Sequence, residues 1–201
     1  MRAALALLTG ALLVLCGGSA GADPALRPDP ALRAELLAMQ RADQLERTGE
    51  GLPHGTVLPP SQDWSRTLRL KKVIAASGWP TIAAVGTDGA SAAWLVAQHA
   101  DFDPDFQEQV VGLMTPLVAR GQADPTDLAY LVDRVAVNRV RPQTYGTQIR
   151  CRAGKPTPAT PITDAASVDT RRAAVELGTL AQYYGELAMM CAEIGDEQPV
   201  Q

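Results

Sequence analysis

The chain has no block rich in Lys or Arg. Its 18 basic and 22 acidic residues are interspersed and give a formal net charge of −4, which argues against nucleic acid or an anionic membrane surface as partner. The standard catalytic signatures are missing too. There is no Gly-x-Ser-x-Gly elbow, Gly-rich phosphate loop, His-Glu-x-x-His helix or paired-cysteine metal knuckle, which lowers the standing of serine nucleophiles, nucleotide chemistry and zinc hydrolysis. No internal repeat is visible, which argues against a solenoid. Beyond the first 15 residues no apolar run is long enough to span a bilayer. Only three cysteines occur, Cys16, Cys151 and Cys191.

What is present begins with an export signature. Arg2 precedes an apolar stretch from Ala3 to Leu15, then Gly17-Gly18-Ser19-Ala20-Gly21-Ala22 and Asp23-Pro24. The apolar core is too short for a membrane span, and Ala20-x-Ala22 offers the small side chains of a cleavage site. Residues 1–22 are therefore expected to be a signal peptide, with the mature chain 23–201 periplasmic or secreted. A lipoprotein anchored through Cys16 is the rival, disfavoured by the bulky Leu15 before it. Removing the signal leaves enough chain for one domain. It also leaves Cys151 and Cys191, expected as a disulfide in an oxidising compartment. Closing that loop stabilises by about 4 kcal/mol in the chain-entropy model.

Helical periodicity dominates the rest. Leu32, Leu36, Met39 and Ala42 predict an amphipathic helix within Pro24–Arg47, and Trp64, Leu68 and Val73 or Ile74 a second, ended by Gly78. Between them, residues 48–62 carry Gly49, Gly51, Pro53, Gly55, Pro59 and Pro60, the composition of a flexible tether or flap. Asp88-Gly89 leads into a short Ala-rich helix over 90–100. Asp103-Pro104 and Asp124-Pro125 each read as an N-cap followed by Pro at the first helical position. Pro116 should kink or split the first of those helices, and the second runs from Thr126 to about Val140. Residues 147–152 look strand-like and return through a Pro-rich stretch, predicting a small β-hairpin near 147–162. The segment from Ser167 to Ile194 reads as one helix broken near Gly178, or as two. The expected fold is mainly α: a single compact helical domain with one hairpin.

The residues that carry chemistry are polar groups set into apolar helices, where burial is costly unless they meet one another or a ligand. Gln40, Asp43 and Arg47 share a helical face. They form either a solvated ion pair or one wall of a pocket. Trp94, Gln98 and Asp101 share another face, with His99 about 100° away. His99 lies in a predicted ordered element whereas His54 lies in the Gly/Pro loop, so His99 is the candidate general base; as a helix-end residue it is equally read as a hydrogen-bonded or dipole-compensating group. The spacing His99-x-Asp101-x-Asp103 offers metal donors but is common by chance, and no metal or cofactor is expected. Asp133 and Arg134 sit mid-helix, where one must face the core and find a partner: an internal salt bridge or a site. Tyr145-Gly146-Thr147-Gln148 is turn chemistry followed by hydrogen-bonding side chains.

Taken in order, Asp43-Gln44-x-x-Arg47, Gly78-Trp79-Pro80, Ala93-Trp94, Gln98-His99-Ala100-Asp101, Phe106-Gln107, Leu128-Ala129-Tyr130-Leu131-x-Asp133-Arg134, Pro142-Gln143-x-Tyr145-Gly146-Thr147-Gln148 and Val168-Asp169-x-Arg171-Arg172 make the chain resemble a bacterial family catalogued as a domain of unknown function, DUF6624. The resemblance implies a shared fold and a shared polar set, and no activity. The cysteine pair is an addition suited to export. Two functions are carried forward. The first is a site that binds or hydrolyses a small polar or anionic ligand. Its catalytic candidates are His99, Asp101 and Asp133, and its ligand-binding candidates are Asp43, Arg47, Gln98, Arg134, Tyr145 and Gln148. The alternative is a non-catalytic structural or protein-interaction domain of the cell envelope. The expected partner is correspondingly a small ligand or an envelope protein, and the domain is expected to be monomeric.

Overall fold

A computed structural model describes residues 27–49, 52 and 61–194. The expected signal peptide with Cys16, and most of the 48–62 loop with His54, lie outside the described residues. Seven α-helices and one two-stranded hairpin make up the described chain: α1 (Pro30–Thr48), α2 (Asp63–Ser77), α3 (Ile82–Gln98), α4 (Pro104–Val118), α5 (Pro125–Asn138), β1 (Ile149–Arg152), β2 (Lys155–Pro158), α6 (Val168–Ala173) and α7 (Leu180–Ile194). The mainly α architecture expected from periodicity is what the molecule has.

Three helices begin with the same device. Asp29, Asp103 and Asp124 cap α1, α4 and α5, their carboxylates accepting from the N–H groups of Leu32, Phe106 and Thr126, with Pro at the first helical position each time. Such a cap satisfies donors that the helix itself cannot, and is worth about 1 kcal/mol. The helix α3 is the central element. Its Ala90, Ala92, Ala93 and Ala97 are buried, and small side chains let neighbours approach closely. Around it pack α1, α2, α4 and α5, burying Leu36, Leu70, Val85, Val96, Phe106, Val110, Met114 and Leu131 in one core. A smaller cluster, Ile149, Cys151 and Cys191 with Tyr183, Tyr184 and Leu187, lies between the hairpin and α7. There the Cys151–Cys191 disulfide ties β1 to α7.

Several boundaries differ from the sequence expectations, each for a local reason. The central helix starts at Ile82, capped by Thr81, rather than near Ala90; Gly86, at φ 73°, supplies the non-helical break that made the upstream turn hard to read. Pro116 does not split α4, because it sits in the last turn. The carbonyl it deprives of a donor is that of Gly112, which is exposed and open to water. The helix α5 ends at Asn138, before Val140 at φ 54°. The hairpin is confined to 149–158, with Ile149 opposite Pro158 and Arg152 opposite Lys155. The last segment, read as one broken helix or as two, is two helices, α6 and α7.

The largest difference is the face that α2 buries. Trp64 and Leu68, read as part of its apolar stripe, are 60% and 40% exposed, whereas Arg66, Thr67, Leu70 and Val73 are buried. The stripe runs Arg66, Leu70, Val73 at four- and three-residue spacing, and it begins with a charge.

Candidate functional site

Arg66 is buried because the last turns of α1 and the first turn of α2 bring three carboxylates around it. Its guanidinium donates to Glu46 at 2.9 and 2.6 Å and to Asp63 at 2.8 Å, and lies 3.5 Å from Asp43. Arg47 bridges the same group from the other side, donating from Nε to Asp43 at 3.3 Å and from Nη2 to Asp63 at 2.8 Å. Asp43 is fully buried. Burial alone would raise its pKa. The hydrogen bond and charge of His99, with Arg47 beside them, outweigh that and hold the carboxyl below the ordinary aspartate range. The Asp43–Arg47 pair is thus an interior one and not a solvated surface pair.

His99 is the C-cap of α3, and its Nδ1 lies 2.9 and 3.0 Å from the two oxygens of Asp43 and 3.1 Å from Arg47 Nε. Nδ1 cannot donate to one group and accept from the other at once. An unprotonated Nδ1 would direct its lone pair at a buried carboxylate under 3 Å away, so Nδ1 carries the proton and Asp43 is the acceptor for both His99 and Arg47. The tautomer follows: Nε2 carries the lone pair of the neutral ring. His99 is 8% exposed, and its hydrogen bonds in the structure all run through Nδ1.

A second network starts two residues on. Because α3 ends at Gln98, Asp101 is not on the helical face of Trp94 and Gln98; it sits in the turn before α4 and reaches across to α5. There it takes two hydrogen bonds from Arg134, through Nε at 2.8 Å and through Nη2. Asn138 and Gln107 donate to the same carboxylate at 2.9 and 3.3 Å. Partial burial would raise the Asp101 pKa, but Arg134, Asn138 and Gln107 together lower it. The remaining arm of Arg134, Nη1, donates to Gln148 Oε1 at 3.1 Å. Gln107 meanwhile ties the end of α3 down, donating to the carbonyls of Ala97 and Gln98 at 3.2 and 3.1 Å.

Asp133 is fully buried and faces away from both networks. Its oxygens accept the backbone N–H groups of Thr144, Tyr145 and Thr147 at 2.7, 3.1 and 2.8 Å, and the Thr147 hydroxyl at 3.0 Å. Burial pushes this carboxyl up despite those four donors. The carbonyls of the same loop are held from the opposite side: Arg171 donates to Thr144 O at 2.8 Å and Arg172 to Tyr145 O at 2.9 Å. Gly146, at φ 68°, completes the turn, and a Cβ there would meet Ile162 Cδ1 at 2.5 Å. Gln143 uses its amide on Gln148 O, Thr160 O and Gln148 N. This clamp presents Gln148 to Arg134. Tyr145 contributes its backbone to it, while its phenol is half-buried and its pKa raised by burial and by Asp133.

The sequence candidates therefore separate into three groups: Asp43, Arg47 and His99 together; Gln98, Asp101, Arg134 and Gln148 beside them; Asp133 and Tyr145 in the loop clamp. Arg66, Glu46, Asp63, Gln107 and Asn138 were not singled out. Arg66 carried a usable signal, its four-residue spacing from Leu70; Glu46 and Asn138 meet partners distant in sequence, Asp63 meets Arg66 three residues on, and Gln107, quoted only in the family motif, is fully buried. The donors His99, Asp101 and Asp103 do not converge, since His99 faces Asp43, Asp101 faces Arg134, and Asp103 caps α4 and meets Lys71. Two pockets among the described residues, one lined by Asp29, Leu32, Ser77, Trp79 and Ala84 and one by Glu35, Arg69 and Val73, lie toward the start of α1. They are roughly 16 Å along that helix from Asp43.

Fold and site together define a mainly helical domain with two adjoining ion-pair networks at one end of a central helix, one buried around Asp43 and one partly exposed around Asp101. Family comparison places it further. The model for a family of unknown function, DUF6624, matches residues 30–190, and the chain belongs to that family. No curated protein and no solved structure matches it.

Proposed function

We propose that the end of α3 is a site for a small polar or anionic ligand, with His99 as the group that exchanges a proton with it. One observation carries this reading: a buried carboxylate chelates Nδ1 of a nearly buried histidine and leaves Nε2 as the ring's available basic atom. This is the pairing of base and orienting acid that general-base chemistry uses. In this reading Asp43 is the orienting group, Arg47 compensates its charge, and Asp101 positions Arg134. Asp133 acts only through the loop that carries Gln148. Hydrolysis of a carbonyl or phosphoryl compound is the simplest reaction such a centre supports: Nε2 takes a proton from water as its oxygen attacks, and returns it to the leaving group.

The chain acts, in this proposal, as one exported, monomeric domain after cleavage near Ala22. No helix among the described residues is long and apolar enough to cross a membrane, and the Cys151–Cys191 disulfide suits an oxidising compartment. A non-catalytic envelope role is the competing reading, favoured by the number of side chains already satisfied by one another.

The test is a thermal-shift screen of the oxidised protein against nucleotides, sugar acids, divalent metals and cell-wall fragments, beside His99→Ala and Asp43→Asn. A ligand at 100 times its Kd adds about 2.7 kcal/mol, a shift of roughly 5–10 °C for a chain of this size. A shift lost in both variants supports the site. Variants that are merely less stable, with no ligand shifting the parent protein, overturn it.

A further inference from the structure

The chain has nine aromatic side chains in all, three Trp, four Tyr and two Phe, and leaves two of them on the surface against each other. Trp64 and Phe102 are 60% and 46% exposed, their ring centroids 5.1 Å apart and their planes inclined at 50°. Each comes from a different element, the first turn of α2 and the turn between α3 and α4, so the contact is tertiary and fixed. Leu68, one turn along α2 from Trp64, extends the same face and is 40% exposed. Large apolar groups left together at the surface mark contact sites more often than scattered ones do.

The position of this pair is what gives it meaning. Trp64 follows Asp63, whose carboxylate holds Arg47 at 2.8 Å, and Arg47 Nε lies 3.1 Å from His99 Nδ1. Phe102 follows Asp101, whose carboxylate holds Arg134, and is three residues from His99, at most about 11 Å of chain. The aromatic pair therefore adjoins both ion-pair networks. The two inclined rings give an exposed apolar surface whose chain neighbours, Asp63 and Asp101, belong to those networks.

Resting on the reading of His99 given above, we infer that the ligand carries a six-membered ring whose flat apolar face packs on Trp64 and Phe102 while its polar or anionic substituent reaches toward the His99 end of α3. The ring of a sugar acid and that of an aryl acid share this chemistry: a flat C–H or π face on one side and a charged group at the edge. The aromatic residues supply contact area with little conformational entropy to lose, and the adjoining networks set which edge of the ring points inward.

Matched probes test this. Benzoate against acetate, phenyl phosphate against inorganic phosphate, and galacturonate against glycolate differ in the ring while keeping the charged group. Binding is read from tryptophan emission of the full oxidised chain, with Trp64→Phe used to assign which of the three indoles responds. The expected result is that at least one ring-bearing probe binds about tenfold more tightly than its ringless partner and shifts Trp64 emission to the blue. The galacturonate and aryl arms tell the two sources apart. Trp64→Ala and Phe102→Ala should each remove the ring advantage; both side chains are exposed, so the fold tolerates the change. His99→Ala should weaken ringed and ringless probes alike, leaving their ratio unchanged, and should abolish any hydrolysis of phenyl phosphate, so that failure of the ring inference and failure of the proton-transfer reading are told apart. Equal affinity for ringed and ringless probes, no response of Trp64, or a blue shift that follows protein concentration alone would each overturn the inference, the last by assigning the patch to self-association.

Discussion

Two of the polar networks in this molecule are built on different rules. The clamp on residues 143–148 joins side chains to backbone: Asp133 takes three N–H groups, Arg171 and Arg172 take the carbonyls, and Gln143 takes both kinds. The group at the end of α3 joins side chains to side chains, three carboxylates against two guanidiniums and an imidazole. Backbone groups must be satisfied whatever the protein does, so the clamp is architecture. Side chains gathered to meet one another, with one ring nitrogen outside the pairing, need a further reason, because apolar residues of similar volume would often be as stable.

The sharpest way to break this contrast is Asp133→Ala. It orphans one buried and two part-buried N–H groups and a buried hydroxyl at once, and each orphaned donor costs about 1–3 kcal/mol where the loop cannot relax to water. We expect a net loss of about 4 kcal/mol, seen calorimetrically as a fall in Tm of roughly 8–16 °C. A variant that keeps its Tm would show the loop to be held by other means, and the contrast would fail.

Asp43→Asn probes the other network and should cost less, about 2 kcal/mol, because Arg47 and Arg66 retain Asp63 and Glu46 as partners. Here the pH dependence is informative. The Asp43 carboxyl is held below its ordinary value in the fold, so its pairing contributes stability above the unfolded-state value, and that contribution is lost as pH falls through the lowered one. Urea titrations from pH 7 to pH 2 should therefore show a parent protein whose stability converges on that of the variant in acid. Parallel curves would mean that the carboxylate is not held as described.

These two networks also show what a sequence discloses. Helix starts at Asp103 and Asp124 were readable because a cap and its Pro are adjacent residues and the physics is local; the same pair at Asp29 and Pro30 was passed over. The pairing of Cys151 with Cys191 was readable by elimination. Asp43 and His99 were both singled out, but their contact spans 56 positions, and no spacing rule reaches that far. Asp133 was read as a candidate for chemistry because residue type signals charge; its partners are backbone N–H groups, which leave no residue-type trace. Arg66 was missed although its spacing from Leu70 put it on the buried face. Trp64 was assigned to the face it does not occupy, since an aromatic at helical spacing is usually core, and here it is exposed.

Asp127 gives the smallest of the expected effects and one of opposite sign. It lies in the first turn of α5 beside the cap Asp124; burial, then the charge of Asp124, push its carboxyl up to about 7, with Ser91 opposing. A raised folded-state value means that the fold resists ionisation, so between the unfolded value near 4 and about pH 7 the parent protein loses stability as pH rises, and above that the loss is complete. Replacing it by Asn keeps an amide oxygen for Ser91 and removes the charge. The variant should match the parent near pH 4, gain steadily up to about pH 7, and hold a constant advantage of about 1 kcal/mol or somewhat more at pH 8, after discounting for the half-buried position. Thermal unfolding at pH 4, 6, 7 and 8 reads this directly. An advantage that is flat with pH would place the effect in helix capping and not in the carboxyl's titration.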